Sequence, residues 1–199
     1  MKLVGIVLSV LFVDQAVKFA VLKYMYIGQS IPVIGDWLRI TFTENPGVAF
    51  GIRFGPEGTM VVLSIIATAV IIAYVLKIRD GYVPYVLSLA FIVGGALGNL
   101  IDRTFYGIWV YDTGLFTGRV VDFFHVNVWK GVVPHWIPGL GGSYMALFPI
   151  WNVADMAIVG GVIGVFVFQQ RFHELLSEEA RISSEDLSLP SDNASSPSN

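Results

Sequence analysis

The chain has 199 residues, of which 55% are hydrophobic and only 14% are charged, and it contains no cysteine. Its mean hydropathy is +0.69, whereas about 25% of the residues of an ordinary soluble domain are charged. The composition therefore excludes a typical water-soluble domain and predicts an integral membrane protein. The lack of cysteine excludes disulfides, thiolate metal sites and a cysteine nucleophile. Six of the fifteen acidic residues lie after residue 173, so residues 1–173 carry a net charge of +2, without the basic stripe typical of nucleic-acid binding.

Four apolar stretches are long enough to cross a membrane as helices. They cover approximately residues 3–22, 59–76, 81–101 and 152–168, and a hydrocarbon core of about 30 Å needs about 20 helical residues. Four spans place both termini on the same side of the membrane. The short basic turn at residues 77–81 predicts that this side is the cytoplasm, because short loops carry most of the positive-inside signal.

Two long connections lie on the outer side in this arrangement, residues 24–58 and 102–151. Residues 37–43 alternate in part between apolar and polar side chains, which predicts a short strand pair at the membrane surface. Residues 131–144 are rich in Gly, Pro and Trp, which is typical of an irregular interfacial segment. We therefore expect an all-α membrane protein with a small β element. Residues 1–173 form its membrane domain, and the Ser-rich, acidic tail 174–199 is expected to be disordered and to carry no chemistry.

Ionisable side chains at membrane depth are costly and are candidates for functional sites. Asp14 and Lys18 are four residues apart in the first span and share a helix face, and this spacing fits a structural ion pair and a role at a site equally well. The third span ends in the sequence GGALGNLIDR, where Asn99 needs hydrogen-bond partners one turn inside the span. The structural alternative for Asp102 and Arg103 is that they are helix-end charges that reach toward the membrane surface.

Small residues predict where the helices approach each other closely. Gly94 and Gly98 form such a face on the third span, and Gly160 and Gly164 form one on the fourth. These faces are explained by packing within one chain. The stretch TENPGVAFG at residues 43–51 favours a hairpin bend, because Asn-Pro-Gly is turn chemistry.

Two carboxylates, Asp122 and Asp155, lie near the same predicted membrane surface. Asp122 has two apolar residues on each side, and Asp155 opens the fourth span just after Asn152, a candidate helix cap. Two carboxylates that share a site cannot both ionise cheaply, so one keeps a proton near neutral pH and acts as an acid while the other accepts a proton from water. The pattern favours an acid–base pair. An interfacial loop charge together with a first-turn helix charge is the structural alternative.

The motifs resemble those of the lipoprotein signal peptidases (signal peptidase II), which are membrane aspartic peptidases. Five of them occur in the family's order between about residues 10 and 168: DQAVK, NPGVAFG, GGALGNLIDR, GRVVDFF and WNVAD. The resemblance implies four transmembrane helices with a small β-cradle and a surface helix on the outer face of a bacterial inner membrane. It also implies that the chain cleaves prolipoprotein signal peptides before a diacylglyceryl-modified cysteine, without a cofactor or a metal ion.

The resemblance further implies roles for individual residues. Asp122 and Asp155 match the two catalytic aspartates of the family. The positions that line or brace the site match Asp14, Lys18, Asn45, Asn99, Arg103 and Asn152. We expect a monomer that acts on lipid-modified prolipoproteins in the bilayer and has no nucleic-acid partner.

Some features depart from the family or leave other functions open. The outer connections look longer than the family usually has at two places, residues 104–117 and 126–150. A magnesium-dependent transferase of lipid headgroups is one alternative, with Asp102, Asp122 and Asp155 around the ion. A proton-coupled transporter is another, with Asp14 and Asp155 as relay groups.

Overall fold

The computed structural model describes residues 2–49, 52–53, 58–128, 130–138, 141–142, 144–146 and 148–188. Within these residues the chain forms four α-helices: Lys2–Tyr24 (α1), Thr59–Lys77 (α2), Val83–Trp109 (α3) and Val153–Ser188 (α4). The same residues form eight short strands: Ser30–Ile34 (β1), Leu38–Asn45 (β2), Val48–Ala49 (β3), Ile52–Arg53 (β4), Val120–Val126 (β5), Lys130–Val132 (β6), Tyr144–Ala146 (β7) and Ile150–Trp151 (β8). Parts of three predicted segments lie outside the described residues: 50–51 of the bend, 139–140 and 143 of the interfacial segment, and 189–199 of the tail.

All four helices are long and apolar enough to cross a membrane, which confirms the four predicted spans. The predicted end of the third span was wrong, since α3 continues beyond residue 101 to Trp109. The added turns carry Phe105 and Trp109, whose stacked rings have centroids 5.0 Å apart. Aromatic side chains favour the headgroup zone. These turns therefore suit the membrane surface, and the helix continues there after the apolar run has ended.

The last helix also continues beyond its predicted end. Residues 174–188, which were expected to be disordered, are helical. Glu, Ala, Leu and Arg are good helix formers, and Arg171 pairs with Glu174 one turn later, with 3.2 Å between Nη1 and Oε2. The Ser-rich, acidic composition indicated solvent exposure, which most of residues 174–184 have, but exposure is compatible with a helix.

The bundle is organised around α3, which contacts each of the other three helices. Its predicted small-residue face lies against α1, where a Cβ at Gly98 would come within 2.6 Å of Asp14 Oδ2. On α4, the residues that face α3 are Gly161 and Gly164, whereas Gly160 faces open space. The prediction that Gly160 belongs to a packing face was therefore wrong, because the close contact falls one residue later on the helix.

Two apolar cores fill the bundle at its two ends. One lies near the turn between α2 and α3 and is formed by Val75, Tyr85, Val86, Leu89, Ile92, Val93 and Phe172. The other lies beneath the strands and is formed by Val21, Phe42, Tyr106, Val121 and Phe123. We call this second end the sheet end, since α1 and α3 finish there and α2 and α4 begin there.

A four-stranded antiparallel sheet covers the sheet end in the order β1-β2-β5-β8. Its pair β1-β2 confirms the strand pair predicted around residues 37–43, and β3-β4 and β6-β7 form separate hairpins. The described parts of the long connections form strands and turns, without the surface helix that the resemblance implied. Pairing of Phe124 with Trp151 brings the carboxylate of β5 close to the first turn of α4.

Candidate active site

The N-terminus of α4 is closed by reciprocal hydrogen bonds between Asn152 and Asp155. The backbone N–H of Asp155 donates to Asn152 Oδ1 at 2.9 Å, and the backbone N–H of Asn152 donates to Asp155 Oδ2 at 3.3 Å. A polar cap with an acidic residue three positions later satisfies the unpaired amides that begin a helix. Asn152 is thus the helix cap that its position predicted. The arrangement leaves Asp155 Oδ1 for a side-chain partner.

Asp122 lies in β5 between two side chains that pack into the bundle. Val121 and Phe123 are 0% and 2% exposed, and side-chain alternation along the strand turns Asp122 to the opposite face of the sheet. Asp122 is also buried. Its Oδ1 accepts a 2.6 Å hydrogen bond from Asn152 Nδ2, and Asn45 forms a further hydrogen bond with its side chain. The end of β2 and the cap of α4 therefore both hold this carboxylate.

Asn99 of α3 completes the connection between the two carboxylates. Its Nδ2 donates a 2.8 Å hydrogen bond to Asp155 Oδ1, and its Oδ1 accepts a 3.1 Å hydrogen bond from Asn152 Nδ2. Because Asn152 Nδ2 also donates to Asp122, hydrogen bonds run without interruption from one carboxylate to the other. Asp122 and Asp155 thus belong to one polar site, which two side-chain amides align.

Lys18 lies beneath these amides, and its three N–H donors have three acceptors. Its Nζ is 2.9 Å from Asp14 Oδ2, 2.7 Å from Asp102 Oδ2 and 2.9 Å from Asn99 Oδ1. Lys18, Asp14 and Asp102 are each 0% exposed. The sequence left open whether Asp14 and Lys18 form a structural pair or belong to a site. They form a buried ion pair, and Lys18 also contacts an amide of the site.

Asp102 is buried, so the structural alternative of a helix-end charge that reaches the membrane surface does not hold for it. Its Oδ2 accepts hydrogen bonds from Lys18 and, at 3.3 Å, from the backbone N–H of Val121. Its Oδ1 accepts a 2.9 Å hydrogen bond from Gln15 Nε2, a residue that the sequence did not single out. A signal for Asp102 was available in its spacing, since it follows Asn99 by three residues and shares its helix face.

Arg103 also turns inward rather than toward the membrane surface. Its guanidinium lies within electrostatic reach of Asp122 and Asp155. Its Nη1 is 3.5 Å from Ser64 Oγ of α2, and its buried Nε has no hydrogen-bond partner among the described residues. A guanidinium carries five N–H donors, so Arg103 keeps donors that a carbonyl group of a bound molecule can accept.

The surroundings of Asp122 change its acidity. Burial is the largest cause that raises the pKa of Asp122, from the ordinary 3.8 to about 7, and the charge of Asp155 raises it further. The hydrogen bond from Asn152 and the charge of Lys18 lower the pKa and offset only part of this rise. A carboxyl group with such a pKa can both hold and release a proton near neutral pH.

The geometry does not supply a third carboxylate for a metal ion. Both oxygens of Asp102 are already occupied by Lys18, a backbone N–H and a side-chain amide. In the part of the chain that the structure describes, no three His, Asp or Glu side chains converge in a way that could hold a metal ion. The alternative magnesium site around Asp102, Asp122 and Asp155 therefore has no support from the arrangement of these groups.

Comparison with known proteins relates this fold to membrane peptidases. A bacterial membrane enzyme solved by the in meso method at 2.3 Å resolution matches with a TM-score of 0.61 and 27% identity, over 85% of this chain and 88% of that one. A lipoprotein signal peptidase of Amoebophilus asiaticus is 35% identical over 175 residues, which cover 81% of this chain and 74% of the relative. Another, from Porphyromonas gingivalis, is 34% identical over 192 residues, which cover 86% of this chain and 84% of the relative.

The fold and these matches define a multi-pass bacterial membrane peptidase. The sequence profile of signal peptidase II matches residues 6–171, and the chain belongs to that family. The predicted family, fold class and hydrolase activity are thereby confirmed. Removal of signal peptides from prolipoproteins is the activity that this membership supports.

Proposed function

We propose that Asp122 and Asp155 form the catalytic dyad of an aspartic endopeptidase that removes prolipoprotein signal peptides. The observation that carries this proposal is the continuous hydrogen-bonded path between the two carboxylates through Asn99 and Asn152. A shared site with one pKa near neutrality suits a pair in which one carboxyl keeps a proton while the other is ionised.

The dyad acts on a water molecule held between its two carboxyl groups. The ionised carboxylate accepts a proton from the water as the water oxygen bonds to the scissile carbonyl carbon, and the other carboxyl gives its proton to the carbonyl oxygen. The tetrahedral intermediate then loses the leaving nitrogen, which takes a proton from the dyad while a hydroxyl proton of the intermediate returns to the dyad. Since coupled carboxyls share their proton, the acid and base roles belong to the pair.

The other polar residues of the site divide into a substrate side and a supporting side. Arg103 belongs to the substrate side because it keeps unused donors near the dyad. The supporting residues hold the two carboxylates in place: Asp14, Lys18, Asn45, Asn99 and Asn152. No cofactor or metal ion takes part in this mechanism.

The substrate is a prolipoprotein whose cysteine carries a diacylglyceryl group, and cleavage occurs just before that cysteine. The dyad lies at the sheet end, where α3 and α4 meet the strands, so termini in the cytoplasm place the site near the outer face of the inner membrane. The acyl chains enter sideways from the bilayer along the apolar helix surfaces. One chain supplies every residue of the site, so a monomer is sufficient, and no nucleic acid takes part.

Cleavage of a synthetic diacylglyceryl-cysteine peptide by the purified protein in detergent tests the proposal. The wild type should cleave just before the modified cysteine with or without EDTA, and Asp122→Asn and Asp155→Asn should each abolish cleavage while the protein stays folded. Asp80→Asn is the matched control, since this carboxylate is 91% exposed on the turn between α2 and α3. It should leave cleavage unchanged.

Three results would contradict the proposal. Cleavage at the wild-type rate by either dyad variant would remove the aspartates from the mechanism. Loss of cleavage in EDTA would favour a metal-dependent reaction. Equal cleavage of the same peptide without its diacylglyceryl group would mean that the lipid is not recognised.

A further inference from the structure

Two buried carboxylates beneath the dyad each hold the element that carries one dyad aspartate. Asp14 Oδ1 accepts a 2.8 Å hydrogen bond from the backbone N–H of Ala154, the residue just before one dyad aspartate in α4. Asp102 Oδ2 accepts a 3.3 Å hydrogen bond from the backbone N–H of Val121, the residue just before the other in β5. The spacing between the dyad carboxylates therefore depends on the spacing between Asp14 and Asp102.

Gln15 connects these two supporting carboxylates. Its Nε2 lies 2.9 Å from Asp102 Oδ1, 3.1 Å from Asp14 Oδ2 and 3.2 Å from the carbonyl oxygen of Gly98. Lys18 joins the same two carboxylates through its ammonium. The amide of Gln15 is thus a second donor between the two carboxylates, and it opposes their separation together with the ammonium.

Tyr106 holds the oxygen end of the amide of Gln15. The hydroxyl of Tyr106, a buried residue of α3, donates a 3.1 Å hydrogen bond to Gln15 Oε1. An amide whose oxygen accepts this bond must turn its NH2 group away from the tyrosine. Here that direction is toward the two carboxylates, which only accept hydrogen bonds, and the tyrosine stabilises this orientation by donating to the amide oxygen.

From this geometry we infer that Gln15, oriented by Tyr106, is a positioning residue that sets the spacing of the two dyad aspartates. The inference rests on the proposed function, because it takes Asp122 and Asp155 to act as a pair. Neither Gln15 nor Tyr106 contacts the dyad carboxyls. Gln15 acts through the two supporting carboxylates and the two backbone amides that they hold.

The variant Gln15→Met tests the inference, because it keeps the length of the side chain and removes its hydrogen bonds. We expect kcat to fall about 10²-fold with KM unchanged, since misplacement of reacting groups by about 1 Å costs this much. The acidic and basic limbs of the plot of kcat against pH should also move closer together. They report the two apparent pKa values of the dyad, and carboxylates that are farther apart interact less. The charged groups that face Asp122 remain in this variant: Asp155 from α4, Lys18 from α1 and Arg103 from α3.

Two further variants separate positioning from general stability. Val10→Ala lies on the same helix one turn before the cluster, where Val10 packs against Gly94. It should lower the unfolding temperature and leave kcat and the pH profile unchanged. Tyr106→Phe keeps the ring and removes only the bond to Gln15, so it should narrow the pH profile with a smaller loss of kcat. It also tests the inference if Gln15→Met does not fold.

The inference is overturned if folded Gln15→Met keeps the wild-type kcat and pH profile, or if Val10→Ala changes both in the same way. If Gln15→Met does not fold, a wild-type pH profile of kcat in Tyr106→Phe also overturns the inference. The Asp155→Asn variant distinguishes this failure from failure of the proposed function. Active Asp155→Asn overturns the dyad itself, whereas inactive Asp155→Asn beside unaffected Gln15→Met overturns only the positioning role.

Discussion

The ammonium of Lys18 donates a 2.9 Å hydrogen bond to Oδ1 of Asn99, and this contact decides which end of the amide faces the dyad. An ammonium has only donors, so the amide oxygen must point toward Lys18 and the NH2 group toward Asp155. A buried cation beneath the dyad thereby controls a donor beside it without contacting either aspartate. Replacement of Asn99 should therefore affect the reaction more than the fold.

Asn99→Asp is expected to lower kcat by about 10²-fold. The variant keeps the shape of the side chain but removes the donor to Asp155 and places a third carboxylate beside the dyad, where like charges disfavour one another. The measurement is the rate of cleavage of the lipid-modified peptide at saturating concentration. Asn127→Asp is the matched control, since the side chain of Asn127 is exposed and donates to the backbone carbonyl of Asp36 in the β1-β2 turn. An equal loss in both variants would contradict the role of Asn99.

Lys18→Met is expected to lower the free energy of unfolding by about 3–5 kcal/mol, the usual result when one partner of a buried ion pair is removed. The variant leaves Asp14 and Asp102 buried beside each other without their cation. Thermal unfolding in detergent measures the effect, and Lys23→Met, an exposed position on the same helix, should unfold at the wild-type temperature. A wild-type unfolding temperature for Lys18→Met would mean that the ammonium does not stabilise the cluster.

The same cluster shows what the sequence could and could not predict. The spans followed from runs of apolar residues, and the spacing of Asp14 and Lys18 predicted that they share a helix face. The partners of Lys18 on α3 lie more than eighty positions later in the chain. No local pattern reports such a contact. The position of Asp102 at the end of an apolar run was therefore compatible with a charge at the membrane surface, although the fold buries it completely.

The resemblance brought together residues that are distant in the chain, because its motifs record contacts that the single sequence does not. Asn45, Asn99 and Asn152 hydrogen-bond to the two aspartates, and Asp14 and Lys18 lie beneath them. Arg103 lies only within electrostatic reach of the aspartates, and the roles of all these residues in the reaction stay predictions. Gln15 was missed because an uncharged residue in a helix gives no local signal of its role. The extension of α3 to Trp109 was missed for a related reason, since aromatic and polar residues ended the apolar run before the helix itself ended.

The pH dependence of stability should report the buried carboxyl of Asp122. Its pKa is about 7 in the folded protein and 3.8 as an ordinary carboxyl group. Between these values the folded state binds the proton that the unfolded state has released, so the free energy of unfolding falls as the pH rises. The stabilising contribution of Asp122 is complete below about pH 4 and is lost above about pH 7.

Thermal unfolding in detergent between about pH 4 and pH 8 checks this sign. Asp122→Asn removes the titrating group, so its unfolding temperature should decline less with pH than that of the wild type. If the unfolding temperature changes with pH in the same way in the wild type and in Asp122→Asn, then Asp122 has an ordinary pKa. The same titration would then give no reason to expect a shared proton in the dyad.

A chain that ends at His173 is expected to cleave its substrate and unfold like the 199-residue chain. Phe172 of α4 is 2% exposed and stacks on Tyr85 with ring centroids 4.3 Å apart. The helix beyond it is mostly exposed as far as residue 184. Phe172→Ala in the 199-residue chain, by contrast, should lower the free energy of unfolding by about 3–5 kcal/mol, because it opens a cavity in the core between α3 and α4. Loss of cleavage in the shortened chain with an unchanged unfolding temperature would mean that the acidic segment contributes to the reaction.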